Sequence, residues 1–148
     1  MPLEKTIYEQ DFQAWALENA ALLRQGNLAD IDVLHIAEEL EGMGASERRE
    51  LQSRLQVLVC HLLKYQYQPE RRGKSWLLTI GHQRDAIDRL LKQSPNLRAL
   101  LDNAEELGAI YAKAVRDTVI ETELDRHLFP SRCPYTIDQL LDGDFLPD

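Results

Sequence analysis

Six polar residues fall on or beside apolar helical stripes: Asn19, Glu39, Glu41, His61, Gln83 and Arg84. Carboxylates, an imidazole and a guanidinium gathered between helices could bind a polar ligand or move protons. The same residue types have a second use. Buried polar groups need partners, and a satisfied network can fix the register of a helical bundle. In that version Arg84 pairs with Glu39 or Glu41, while Asn19 and Gln83 find backbone or side-chain partners. The two versions differ in whether an open cavity stands beside His61.

Other chemistries fit the sequence less well. A di-metal centre in a bundle uses two Glu-x-x-His motifs and two further Glu. Here the order is reversed, His35-x-x-Glu38, and it occurs once. Both residues point away from the apolar arc of their helix. No metal and no other cofactor is expected. Cys60 reads as a core filler. Cys133, close to His127 in a Pro-flanked loop, could form a Cys–His pair, with packing as its default role. The two cysteines have neither zinc nor disulfide spacing, which fits a reducing compartment. Gly42 and Gly44 lack the spacing of a phosphate loop. Arg71, Arg72 and Lys74, near Trp76, could touch a nucleic-acid backbone. Against that stand 25 acidic and 17 basic residues, a net charge of −8, which also disfavours anionic membranes.

The elements that must position these residues are helices. A 3.6-residue period recurs throughout and alternating β-branched runs are absent. The expectation is an all-α, up-and-down bundle of about five main helices plus a short C-terminal helix. Its 148 residues suit one domain over 1–148. A first helix is expected from about Tyr8 to Arg24, ended by Gly26-Asn27. A second runs from about Ile31 to Met43, with Val33, Ile36, Ala37, Leu40 and Met43 as its apolar arc. After a break at Gly42 and Gly44, Ser46 caps a central helix that Pro69 stops. Leu51, Leu55, Leu58, Leu62 and Tyr65 form its main stripe, with His61 on the flank. Ser75 caps the next helix, which carries Gln83 and Arg84. From Leu97 to about Thr122 one stripe persists and favours a single helix, although Asn103 with Glu106 could be a capping box. Small residues there, Ala104, Gly108 and Ala112, allow close helix approach. Thr136 caps the short last helix, and Ile110, Ile120, Leu124 and the apolar tail are left for a partner or for the tail itself to cover.

The series Asp11-Phe12…Trp15, Glu38-Glu39-Leu40-Glu41…Met43, His61-Leu62-Leu63-Lys64, Pro69, Ser75-Trp76…Ile80, Gln83-Arg84 and Pro130…Cys133-Pro134 resembles a bacterial family. It is catalogued as domain of unknown function number twenty-nine. The resemblance runs from about Tyr8 to Pro147. It implies a small all-helical bacterial protein and brings no substrate, cofactor or catalytic residue.

Two functional classes follow. One is a non-enzymatic interaction module, a homo-oligomer or an adaptor for a protein partner. The other is an enzyme or small-ligand binder built on Glu39, Glu41, His61 and Arg84. The N-terminal stretch lacks the apolar core of a signal peptide and no run is long enough to span a membrane, so a cytoplasmic protein is expected.

Overall fold

The computed structural model describes residues 6–148, and they are all-helical, with no strand among them. Two compact units divide the chain, the first ending at Ala45 and the second spanning Ser46–Asp148.

The first unit holds α1 (Ile7–Gln10), α2 (Phe12–Arg24) and the opening turns of α3 (Val33–Tyr67). The single first helix expected from Tyr8 is split at Asp11. Its backbone is extended (φ −149°), and its carboxylate accepts the Ala14 amide at 3.0 Å. A short acidic side chain offers the orphan N–H groups a local partner, so a new helix starts there. Gly26 ends α2 in the left-handed region, at φ +73°.

The expected break at Gly42 and Gly44 is absent: α3 is one helix of 35 residues. Ser46 is therefore an interior residue, not a cap. Two glycines cost a helix about 1 kcal/mol each, which a helix of this length can absorb. Glu47, in the helix interior, accepts from Ser94 and Gln93.

In the second unit α3 is the core element. Leu51, Leu55, Leu58, Leu62 and Leu63 are fully buried, each worth about 1.5–3 kcal/mol. Around them pack α4 (Lys74–Gln93), α5 (Arg98–Leu101), α6 (Ala104–Thr122) and α7 (Ile137–Leu141). Gly73, not Ser75, occupies the N-cap of α4. The single helix favoured over 97–122 is two: Asn103 accepts the Glu106 amide at 3.1 Å and starts α6. Thr136 and Gln139 form a full capping box on α7.

The apolar remainder is not where the sequence leaves it. Ile110, Phe129, Tyr135 and Leu140 are buried in the core of the second unit, and only Ile120 of the off-stripe residues is widely exposed. Among the described residues, no helix is long and apolar enough to cross a membrane.

Candidate functional site

The six polar candidates divide between the units, three in each, and each has its own surroundings. In the first unit Asn19 is buried. Its Nδ2 donates to the Trp15 carbonyl at 2.9 Å, and its Oδ1 accepts the Asp32 amide at 2.8 Å. Both ends of the amide are satisfied, and they tie α2 to the start of α3. Glu39 accepts the Tyr8 hydroxyl. That bond, first, and burial, second, push the Tyr8 phenol up to about 12. Glu41 is exposed and has no partner among the described residues.

In the second unit His61 is half-buried. Its Nδ1 donates to the Val57 carbonyl at 2.9 Å, one turn earlier on α3. Burial disfavours the charged ring and lowers its pKa, and Lys64 acts in the same direction. Gln83 accepts from Arg54 at 3.2 Å. Arg84 is 6% exposed. The pairing expected for it, with Glu39 or Glu41, is replaced by three backbone carbonyls. Its Nε donates to Leu140 at 2.9 Å, and its other nitrogens donate to Gln139 at 3.0 Å and Phe145 at 2.8 Å. The guanidinium fork fastens the C-terminal segment, whose helix-end carbonyls need donors.

Two groupings escaped the sequence reading. Near His61, the buried Lys64 pairs with Glu121 across to α6 and lies 6.0 Å from the Trp76 ring centroid. Cys60 approaches Glu121 at 3.7 Å and receives Thr118 at 3.3 Å. Burial pushes the Cys60 thiol up to about 11, so it holds no thiolate at neutral pH.

The second grouping lies in the first unit, around Asp32. Its Oδ2 accepts the Trp15 indole N–H at 2.9 Å and faces His35 Nδ1 at 2.6 Å. Tyr8 stacks on His35 with ring centroids 4.0 Å apart. His35, expected on the solvent side, is thus part of the packed side. The signal available was aromatic: Tyr8, Phe12 and Trp15 share a face of the N-terminal helices and suit a flat ring such as His35.

This packing has a consequence for the apolar arc of α3. At 100° per residue, Asp32, His35 and Glu39 lie on one edge of the helix, rather more than a third of a turn from the line of Val33, Ala37 and Leu40. Because the polar edge packs, the apolar line does not. Val33 is 61%, Leu40 63% and Met43 66% exposed. Leu34, Leu17 and Phe12 are also widely exposed.

Charge is as unequal as apolar exposure. Residues 6–45 carry eight carboxylates against one arginine, a net −7 of the −8 on the whole chain. Glu41 stands beside the exposed apolar line and Glu38 lies farther round the helix, both open to solvent.

Residues 7–146 match a family model described as "Domain of unknown function DUF29". No curated protein and no solved structure matches the chain.

Proposed function

The chain belongs to the DUF29 family, and we propose that this member is a protein-interaction module whose N-terminal unit docks a basic, amphipathic helix of a partner protein. The observation that carries the reading is the exposed apolar line Val33–Ala37–Leu40 with Met43, bordered by Glu41. Contiguous apolar surface rimmed by charge is the usual form of a docking face. An amphipathic helix presents apolar residues at i, i+3, i+4 and i+7, which fits a line of that spacing.

The charge selects the occupant. A second copy of this chain would bring −7 against −7, and like charges facing each other cost affinity and slow encounter. A partner with Lys or Arg beside its apolar residues gains on both counts. The same charge disfavours nucleic acid and anionic lipid.

Sedimentation of the purified protein separates the two occupants. A monomer at micromolar concentration is the expected result. A stable dimer that dissociates in Val33→Ser/Leu40→Ser would replace the basic partner with a second copy.

A further inference from the structure

We infer that the second unit binds an amphipathic small molecule, its apolar body in the cavity between α6 and the C-terminal segment and its anionic head at Arg132. The cavity measures about 700 Å³, within the range of small-molecule sites and far above the voids that ordinary packing leaves. Leu55 and Val59 of α3 form part of its lining, with Leu107 and Ile110 on the α6 side and Ile137 and Leu140 on the other. All are apolar.

Gly108 supports the assignment independently. It sits in the interior of α6, where glycine costs helix stability relative to alanine. Close helix approach would explain it, but a Cβ there would meet nothing within 4 Å. Gly108 instead lines this cavity, as Ala104 does. The small residues keep room for a ligand, not for a neighbouring helix.

The rim carries the head-group chemistry. Arg132 lines the cavity and makes no ion pair or hydrogen bond among the described residues. An adjoining cavity of about 440 Å³ shares Gly108, Tyr111 and Ser131 with the first and adds Arg126, which is likewise unpaired. One unpaired carboxylate, Glu105, also reaches the lining. Two free guanidinium groups against one carboxylate favour an anion at this rim. The wall formed by α7 is the segment that Arg84 holds, so Arg84 is a positioning residue for the cavity.

The half-buried Cys133 lines the cavity and gives a local readout. The test uses dodecanoate below its micellar concentration as the probe. Peptide mapping follows maleimide labelling of Cys133 in the full chain. Dodecanoate should slow that labelling and raise the thermal midpoint. Gly108→Leu and Ala104→Leu, which occupy the space, should each abolish the protection while the circular dichroism stays helical. Arg132→Gln should weaken dodecanoate about tenfold and leave dodecanol unchanged. Cys133 labelling indifferent to dodecanoate, or protection that survives both leucine variants, overturns the site. Equal protection by dodecanoate, dodecanol and dodecylamine overturns the anionic head. None of these results depends on the docking face of the first unit.

Discussion

The Nδ1 of His35 lies 2.6 Å from Asp32 Oδ2. A carboxylate only accepts, so Nδ1 carries the proton, and the Trp15 indole donates to the same oxygen. The pair decides which edge of α3 turns inward. The hydrogen bond with His35, foremost, lowers the Asp32 pKa; burial opposes it and the Trp15 hydrogen bond adds a lesser lowering. A carboxyl with a depressed folded value stabilises the fold above its unfolded pKa of about 3.9. That stability is lost as pH falls through the folded value. Trp15 fluorescence, read in a Trp76→Phe background, should therefore change with acid below about pH 4. Asp32→Asn should abolish the acid step and loosen Trp15 already at neutral pH.

His61 should give a second, separate pH dependence. Burial holds its folded pKa below the unfolded value of about 6.5. Unfolding then takes up a proton, so its contribution is complete above that pH and shrinks as pH falls toward the folded value. Urea midpoints measured between pH 7.5 and 5 should decline, and His61→Phe should flatten that decline. Glu41→Gln, at an exposed and unpaired position, should leave the midpoint within about 0.5 kcal/mol of the parent.

Arg84 fastens three carbonyls with one side chain. Arg84→Met keeps the stem and removes the donors, leaving those carbonyls without them. The expected loss is about 2–4 kcal/mol in urea unfolding. Limited proteolysis should then cut first between residues 139 and 148. Arg84→Lys should recover only a minor part, because an ammonium cannot reproduce the planar fork.

Gly42 and Gly44 lie in unbroken helix, and a Cβ at either would meet nothing within 4 Å. Alanine at each should stabilise the protein by about 0.5–1 kcal/mol and raise the helical dichroism. A loss of stability in either variant would show that the helix is interrupted there in solution.

Periodicity exposed the main stripes because they reflect burial against neighbours, as Leu51 to Leu62 shows. It also found Pro69 as a stop and Thr136 as a cap, both of which are local chemistry. It failed where a local signal competed with a longer one. Gly42 and Gly44 look like a break, yet the helix carries through. Asn103 caps a helix, yet an unbroken apolar stripe masks the gap before it. The candidate residues were harder still. Arg84 was legible as a polar group in an apolar face, but its partners lie 55 to 61 residues away on backbone carbonyls, which carry no side-chain signature. The exposed line on α3 has the pattern of a core stripe, because apolar residues at helical spacing usually face a core. The stacking of Tyr8 on His35 turns the other edge inward.

The docking face of the N-terminal unit meets its most direct test in calorimetric titration with two designed helical peptides. Both share one leucine pattern, one with lysine and the other with glutamate at the polar positions. The leucine–lysine peptide should bind, more weakly as salt rises from 50 to 300 mM, and Val33→Ser/Leu40→Ser should remove the binding without changing the urea midpoint. Equal binding of both peptides, or binding indifferent to the double substitution, would contradict the account.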